Sequence, residues 1–348
     1  MEYLAQLLKE HFNNHPDMEV RDAVKFLYQS YLGGGHLIVD EGAALTRLEE
    51  EWSRVEGDPD APLAEPLGHG RSRLHLNACK GKGLSPATVC RLFLLSARET
   101  VPDREGFRQA LELVRSLPFP GEMAERYRTE YQAQGCPMVS HSEAYRTAYA
   151  PAYRIVSDYY IGLIPVLAAV DRALQNGPLR VAIDGPCASG KSTLGQALVR
   201  IYGCPLLHMD DFFLRPDQRT EARLAQPGGN VDAERFFEEV LGPLCRNQAA
   251  RYRPWRCRDG GFGPECTVAS GPLIVVEGSY SLRPDLREAY GLRIWVEAPW
   301  PVREQRLAQR GPGCLERFKQ VWVPLENQYF QACRVKECCH ITVSGDKP

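Results

Sequence analysis

The spacing of apolar positions separates the chain into a first half with helical patterns and a second half with short apolar runs. In the first half, apolar residues recur every three to four positions, as they do on one face of a helix. This periodicity predicts helices over residues 17–32, 42–52, 86–98, 103–117, 122–134 and 152–174. A segment rich in proline and glycine, 58–70, is predicted to be a loop, and 71–76 a short strand.

The second half begins after the turn signal Asn176-Gly177-Pro178, where we place a domain boundary. Its short apolar runs are bounded by turn residues or charges and alternate with helical stretches, as buried parallel strands do. The runs are Leu179–Asp184, Pro205–Met209, Leu273–Glu277, Leu292–Glu297 and His340–Val343. The pattern predicts a mainly α-helical domain over 1–174 and an α/β domain with a five-stranded, mostly parallel sheet over 175–348.

A phosphate-binding motif directly follows the first of these runs. Residues 185–193 read GPCASGKST, which fits GxxxxGK[ST] without a mismatch. The motif lies between a predicted strand and a predicted helix, which is the context that it requires. Its glycines allow the loop to curl around phosphate oxygens, and the helix N-terminus adds partial positive charge. The second domain is therefore predicted to be a P-loop NTPase domain that binds ATP or GTP.

Individual residues of this motif have predicted roles. Lys191 would reach the β- and γ-phosphates, the Ser192 hydroxyl would ligate Mg²⁺, and Thr193 would support the turn. The residues predicted to bind the nucleotide are Gly185, Ala188, Ser189, Gly190, Lys191, Ser192 and Thr193.

Acidic residues follow two other predicted strands. Ligands of open α/β sheets bind beyond the carboxyl ends of the strands, so these acids are expected near the P-loop. Asp210 is predicted to be the catalytic base that accepts a proton from an attacking hydroxyl, with an N-cap for the following segment as the alternative. The adjacent acids Asp210 and Asp211 allow one residue for each role. Glu277 is predicted to hold Mg²⁺ or its water shell, with a helix cap as the alternative.

Three arginines follow the fourth strand. Arg303, Arg306 and Arg310 are spaced i, i+3 and i+7, which places them on one face of a helix. The planar guanidinium binds phosphate oxygens in a bidentate manner. The spacing predicts a catalytic lid that clamps the transferred phosphate, and a solvated basic face is the alternative.

Several segments between Leu179 and Gly345 resemble, in order and spacing, the uridine kinase and phosphoribulokinase group of P-loop kinases. They are IDGPCASGKSTL, LLHMDDFF, GGNVDAERF, RYRPWRC, VVEGSYSL, VREQRLAQR and ITVSG. The resemblance implies transfer of the γ-phosphate of ATP or GTP, with Mg²⁺, to a hydroxyl of a nucleoside or ribose-like acceptor. It implies that Asp232 binds ribose hydroxyls, that Tyr252 and Phe213 contact the acceptor, and that Asp210, Glu277 and the three arginines have the roles given above.

The sequence departs from that family at the acceptor side. Cys257 stands where a histidine is frequent, Phe213 where tyrosine is frequent, and Gly311 where an acid often follows the last arginine. Another sugar, a vitamin precursor or an RNA nucleoside therefore remains open as the acceptor. A nucleotide-binding regulator without kinase activity is the alternative from another functional class.

Composition adds limits on partners and location. The 348 residues carry 42 Lys and Arg against 44 Asp and Glu, a net charge of −2, so no overall charge attracts nucleic acid or an anionic membrane. The N-terminus does not read as a signal peptide, and the most apolar stretch, 161–170, is about half the length that spans a bilayer. We expect a cytoplasmic protein without a membrane partner. Its 12 cysteines are expected to be reduced thiols, and their spacings do not form paired CxxC zinc motifs.

The first half matches no motif with an assigned chemistry. Three glycines precede His36, and the segment from His141 to Arg154 is rich in tyrosine and arginine. The face formed by Tyr145, Arg146, Tyr149, Tyr153 and Arg154 could bind a nucleotide or an RNA strand, or could be a half-buried helix face. Metal binding by His36, His69, His75 and His141 is a further, disfavoured alternative. We expect this domain to shape the acceptor site or to sense a ligand.

Overall fold

The computed structural model describes residues 1–35, 38 and 40–346. The chain divides into two compact units, Met1–Asp171 and the residues from Arg172 onward. His36, which the sequence analysis named as a metal-ligand candidate, lies outside the described residues.

The first unit is mainly helical and contains a small antiparallel sheet. Its helices are α1 (Glu2–Asn14), α2 (Val20–Leu32), α3 (Glu41–Arg54), α4 (Leu76–Gly81), α5 (Pro86–Glu99), α6 (Arg104–Ala110), α7 (Gly121–Ala133), α8 (Glu143–Tyr149) and α9 (Asp158–Leu174). Its strands, in the order β1-β2-β3, are β1 (Ala64–Gly68), β2 (Arg71–His75) and β3 (Tyr153–Ser157). A 3₁₀ helix, Leu111–Ser116, follows α6 directly.

Several helices of this unit begin where the sequence supplies capping groups. The Ser85 side chain accepts a hydrogen bond from the Thr88 N–H, and Pro86 occupies the first turn of α5. In α2, the side chains of Glu19 and Asp22 cap each other's backbone in a capping box. Helix α2 is buried along most of its length and forms the centre of the core of this unit.

Two predictions for this unit were wrong. Residues 64–68 form β1 rather than part of a loop, because their backbone pairs with β2 in spite of a proline and two turn-type glycines nearby. Residues 153–157 form β3 rather than the start of a long helix, because Ile155 and Val156 are buried where β3 pairs with β2. Helix α1 was not predicted, and the predicted helix 103–117 is split between α6 and the 3₁₀ helix.

The second unit is a parallel sheet with helices. Its helices are α10 (Lys191–Tyr202), α11 (Glu221–Leu224), α12 (Ala233–Phe236), α13 (Gly242–Cys245), α14 (Trp300–Ala308), α15 (Cys314–Arg317) and α16 (Val323–Cys333). Its strands are β4 (Leu179–Asp184), β5 (Leu206–His208), β6 (Ala250–Tyr252), β7 (Trp255–Arg256), β8 (Gly261–Phe262), β9 (Cys266–Val268), β10 (Leu273–Glu277), β11 (Leu292–Glu297) and β12 (Ile341–Ser344). Single π-helical turns join α12 to α13 and α15 to α16.

The main sheet has the strand order β12-β11-β4-β10-β5, and all of its neighbouring strands are parallel. Strand β4 lies at its centre, and every residue of β10 is buried. The predicted α/β P-loop domain with five parallel strands, preceded by a mainly helical region, is confirmed. The small antiparallel pairs β6–β9 and β7–β8 were not predicted. Because parallel strands share one carboxyl edge, the residues after β4, β5 and β10 meet there.

Candidate active site

A cavity of about 730 Å³ opens at the carboxyl edge of the main sheet. The predicted residues that line it are Ala188, Gly190, Lys191, Ser192, Thr193, Asp210, Phe213, Glu277, Arg306 and Arg310. The other predicted residues lie outside this lining; they are Gly185, Ser189, Asp232, Tyr252 and Arg303. The structure therefore places most of the predicted P-loop residues, the predicted catalytic base, the acid predicted to bind Mg²⁺ and two of the three arginines around one cavity.

The loop between β4 and α10 requires glycine at its tightest approach. Gly185 has a φ of +145°, and a Cβ there would lie 2.1 Å from the carbonyl oxygen of Val296. Gly190, with a φ of +109°, is the N-cap of α10. A side chain at either position would strain the backbone, and at Gly185 it would also clash with β11. The loop is thus fixed against the sheet, with the N-terminus of α10 at the cavity.

Lys191 is buried and bonded to its own loop. Its Nζ donates hydrogen bonds to the carbonyl oxygens of Gly185, at 2.8 Å, and Pro186, at 3.0 Å. These oxygens hold the ammonium beside the phosphate loop. The charge that the P-loop needs is therefore already in place at the cavity wall.

Ser192 and His208 are both hydrogen-bonded to one carboxylate oxygen of Glu277. The parallel register pairs Glu277 with His208, and the Glu277 Oε1 atom accepts hydrogen bonds from Ser192 Oγ at 3.0 Å and from His208 Nδ1 at 2.6 Å. The bond to Glu277 raises the pKa of His208. A hydroxyl and a carboxylate in contact are oxygen donors of the kind that Mg²⁺ prefers, so the donor set fits that ion.

The two adjacent acids after β5 have different surroundings. Asp210 lines the cavity, where shielding by the surrounding protein raises the pKa of its carboxyl, while Lys191 lowers it and Glu277 raises it. The Asp211 carboxylate instead accepts a hydrogen bond from Tyr252 OH at 3.4 Å. Of this pair, Asp210 is the carboxylate that a bound molecule can reach in the cavity.

The three predicted lid arginines do not act as one set. Arg303 is buried behind the loop, where its Nε donates to the Cys187 carbonyl at 2.8 Å. Arg306 donates to the carbonyl oxygens of Ala188, at 3.1 Å, and Gly345, at 2.7 Å, and still lines the cavity. Arg310 is exposed at the cavity rim. Arg303 thus holds the loop from behind, whereas Arg306 and Arg310 face the cavity.

Of the residues predicted to bind the acceptor, Phe213 lines the cavity and Asp232 and Tyr252 do not. Asp232 is buried and caps α12, accepting hydrogen bonds from the Arg235 N–H at 3.1 Å and from Gln218 Nε2 at 2.7 Å. Phe213 lines the cavity, and its ring centroid lies 5.3 Å from that of Trp322. The cavity therefore has an aromatic wall, while the predicted ribose-binding acid is engaged within the protein.

Sequence reasoning missed Glu326, on α16. This buried carboxylate accepts hydrogen bonds from the Cys187 N–H at 2.9 Å and from Ser279 Oγ at 2.7 Å, and lies 3.9 Å from Arg303 Nη2. It ties the phosphate loop to the segment after β10. No local pattern around position 326 indicates this role, because its partners are distant in sequence.

Arg317 and Trp322 were also missed, and both line the cavity. Arg317 ends the short helix α15, just beyond the predicted arginine stripe. Continuing the i, i+7 spacing of the arginines from Arg310 past the end of α14 would have identified Arg317. Trp322 carries no such signal, because it belongs to a π-helical turn.

The histidines of the first half that were considered as a disfavoured metal site do not assemble among the described residues. His69 contacts Ser30 Oγ, His75 contacts the Pro62 carbonyl, and His141 contacts Asp22. The group that brings metal-ligating atom types within 4.8 Å of one another is instead His11, His15 and Glu65.

In that group the ligand atoms already have partners. His11 Nδ1 and Glu65 Oε1 are bonded at 2.5 Å, and Arg73 contacts both side chains, Glu65 at 2.9 Å and His11 at 3.3 Å. A buried guanidinium beside the cluster opposes a second cation. All twelve cysteines are free thiols, as expected.

Comparisons with known proteins bear on the second unit. No protein-family model and no curated protein matches the chain. Solved structures of P-loop kinases are similar to about half of it at low sequence identity. A possible uridine kinase from Bacillus stearothermophilus is 17% identical over 50% of this chain and 97% of its own, with a TM-score of 0.39.

Two further solved structures are similar over about the same share of the chain. A candidate fructose transport system kinase from Silicibacter sp. TM1040 is 21% identical over 50% of this chain and 97% of its own, with a TM-score of 0.41. D-glycerate 3-kinase from Cryptococcus neoformans is 15% identical over 47% of this chain and 85% of its own, with a TM-score of 0.35. The function is therefore inferred from the residues of this chain. Across residues 1–35, 38 and 40–346, no helix combines the length and apolar character that a membrane crossing needs.

Proposed function

We propose that the chain is a phosphotransferase that moves the γ-phosphoryl group of ATP or GTP to a hydroxyl of a small molecule. The observation that carries this proposal is the shared cavity of Lys191 and Asp210, a phosphate-binding lysine and a reachable carboxylate. A site that only binds nucleotide has no need for a second carboxylate at this position. Arg306 and Arg310 add positive charge where the transferred group would lie.

Each cavity residue has a defined part in this transfer. Backbone N–H groups of the loop and the N-terminus of α10 bind the phosphates. Lys191 leaves the carbonyl oxygens of Gly185 and Pro186 and donates to phosphate oxygens instead. Ser192 and Glu277 would hold Mg²⁺, which neutralises phosphate charge when bound. Opening the bond between Ser192 and Glu277 frees both oxygens for that ion.

Asp210 accepts the proton of the attacking hydroxyl. For this it must be a carboxylate, and its raised pKa makes it a stronger base than an aspartate of ordinary pKa, while Lys191 favours the charged form. The proton passes from the hydroxyl oxygen to the carboxylate as that oxygen bonds to phosphorus and the bond to the nucleoside diphosphate breaks. The arginines bind the oxygens on which charge accumulates.

The acceptor is proposed to be a nucleoside or a ribose-like molecule. Phe213 and Trp322 support a planar or ring-shaped acceptor, since aromatic faces stack on such groups. The engaged side chain of Asp232 gives this acceptor no support, so another sugar, a vitamin precursor or an RNA nucleoside is retained as the alternative class.

The test is acceptor-dependent phosphorylation by the full chain. The protein is incubated with ATP, or GTP, and Mg²⁺, with and without a pool of nucleosides, sugars and vitamin precursors, and products are read by mass spectrometry for an added phosphate. We expect a phosphorylated product from one acceptor. Nucleotide binding without acceptor-dependent turnover across the pool would contradict the proposal and favour a regulator.

The role of Asp210 is tested by Asp210→Asn, with Asp211→Asn as the matched control. The first change removes a general base, which contributes about 10²- to 10⁴-fold in rate, while nucleotide affinity should be unchanged or higher. The control removes an equal charge one residue away, on a side chain that contacts Tyr252. A loss below tenfold in Asp210→Asn, or equal losses in both variants, would exclude Asp210 as the base.

A further inference from the structure

The first unit contains a smaller cavity, of about 290 Å³, between α2, α3 and β3. The tyrosine- and arginine-rich segment that the kinase proposal leaves unexplained contributes His141, Tyr153 and Arg154 to its wall. Lys25 and Gln29 of α2 and Arg47 of α3 also line it. Its volume is at the lower end of the range for small-molecule sites, so it suits a small metabolite.

The polar groups in this wall are held in fixed orientations by one another. His141 Nδ1 lies 2.9 Å from Asp22 Oδ1, and since a carboxylate only accepts, this nitrogen carries the proton. His141 Nε2 is then the acceptor for Tyr153 OH at 2.6 Å, and the Tyr153 oxygen accepts from Gln29 Nε2 at 3.0 Å. Ser142 donates twice more to Asp22. A wall ordered in this way presents its polar atoms without further rearrangement.

The cavity carries an excess of positive charge. Arg154 pairs with Glu51 at 2.7 Å, so these two charges cancel. Burial lowers the pKa of His141 to about 4, so the imidazole is neutral at pH 7. Lys25 and Arg47 remain, and among the described residues neither has a carboxylate within 4 Å. The lining therefore has a charge of about +2 at neutral pH.

Lys25 is the group that most needs an anion. It is half-buried, and its Nζ reaches only the Val139 carbonyl, at 3.3 Å, within the described part of the chain. Burial, with Arg73 and Arg146 nearby, lowers the pKa of Lys25 to about 8, and the Asp22 carboxylate offsets part of this effect. An ammonium held among cations in a partly enclosed space is stabilised when an anion enters.

We propose that this cavity binds the phosphate group of a small phosphorylated metabolite. A phosphate monoester carries between one and a half and two negative charges at pH 7, which matches the excess of two cations, whereas a single carboxylate would leave one uncompensated. Lys25 and Arg47 contact the phosphate oxygens, and the remainder of the molecule lies against the wall that Gln29, His141 and Tyr153 form. This site is separate from the P-loop and does not depend on the proposed kinase activity.

The test uses inorganic phosphate as the probe and removes binding at the P-loop. Full-length Lys191→Met is titrated with phosphate by isothermal calorimetry at constant ionic strength, with acetate as a second probe. Lys25→Met is then added to this background. Lys9→Met, on the exposed face of α1, is the matched control, and Lys25→Arg tests rescue of the charge. Thermal unfolding without phosphate shows whether each variant is folded.

We expect saturable phosphate binding in Lys191→Met that weakens about ten- to a hundredfold on adding Lys25→Met, the scale of one hydrogen bond between charged groups. Lys9→Met should leave the affinity unchanged, and Lys25→Arg should retain most of it. Equal phosphate affinity with and without Lys25→Met, or no saturable binding, would overturn the site. Acetate binding as tightly as phosphate, and equally dependent on Lys25, would overturn the assignment of phosphate.

Discussion

Glu326 connects three parts of the nucleotide site, and replacing it should separate the contribution of its charge from that of its hydrogen bonds. Its carboxylate accepts from the Cys187 N–H and from Ser279 Oγ and lies 3.9 Å from Arg303. Glu326→Ala removes all of these contacts. In Glu326→Gln the amide oxygen still accepts from Cys187, and the amide N–H donates to Ser279, whose hydroxyl can turn to the Gly185 carbonyl at 3.1 Å.

The two variants should therefore differ in free energy of unfolding. Glu326→Ala should cost about 3 to 5 kcal/mol, because Arg303 loses the neighbouring charge and the buried Cys187 N–H loses its acceptor. Glu326→Gln removes the same charge but keeps two hydrogen bonds, which limits its cost to about 1 to 2 kcal/mol. The difference of about 2 to 3 kcal/mol corresponds to about 1 M in the urea midpoint.

The measurement is urea unfolding of the full chain, followed by tryptophan fluorescence, together with nucleotide affinity for each variant. We expect Glu326→Gln to retain nucleotide binding within a few-fold and Glu326→Ala to lose it, since the loop backbone at Cys187 is no longer held. Equal urea midpoints for the two variants would refute the reasoning. Retained affinity in a destabilised Glu326→Ala would show that the carboxylate stabilises the unit without positioning the loop.

Further predictions concern the loop and its supports. Lys191→Met should lower acceptor phosphorylation by more than about a hundredfold, or about 2.8 kcal/mol of transition-state stabilisation, and a loss below tenfold in the same mass-spectrometric assay would contradict its role. Arg306→Met should weaken nucleotide binding more than Arg310→Met in calorimetry, because only Arg306 also bonds the loop; the reverse order would contradict this. Tyr329→Phe removes a 2.9 Å hydrogen bond to Asp184, whose pKa burial raises to about 6. The raised carboxyl stabilises the fold at low pH and loses that contribution as the pH rises through 6, whereas the hydrogen bond from Tyr329 lowers this pKa and so favours the charged form. Tyr329→Phe should therefore cost about 2 kcal/mol at pH 7.5 and about half as much at pH 5, and equal costs in urea unfolding would contradict this.

The sequence predicted the parts of the site that follow from local pattern. Strands β5 and β10 are short apolar runs with an acidic residue at or just after the carboxyl end. The positions of Asp210 and Glu277 in the cavity therefore follow once the sheet is predicted. The P-loop is continuous in sequence and carries its own glycine signal. These features depend on neighbouring residues alone, which is why they could be read without coordinates.

Features that depend on residues distant in sequence could not be predicted from local patterns. Helical spacing placed the three arginines on one face but could not distinguish Arg303, which bonds the loop from behind, from Arg306, which reaches the cavity. The spacing around Asp232 did not reveal its bond to Gln218, fourteen residues earlier. Strand β3 was read as helix because its strand character comes from pairing with β2, about eighty residues away.

The segment after β12 has a practical consequence for how the protein is handled. The Gly345 carbonyl accepts from Arg306, its N–H donates to Glu297, and a Cβ at this position would lie 1.8 Å from the Ser189 carbonyl. The polypeptide thus passes against the phosphate loop at Gly345. A peptide tag inserted directly after this residue would begin beside the nucleotide site and compete with its ligands. Activity lost in such an insertion should therefore be attributed first to the tag.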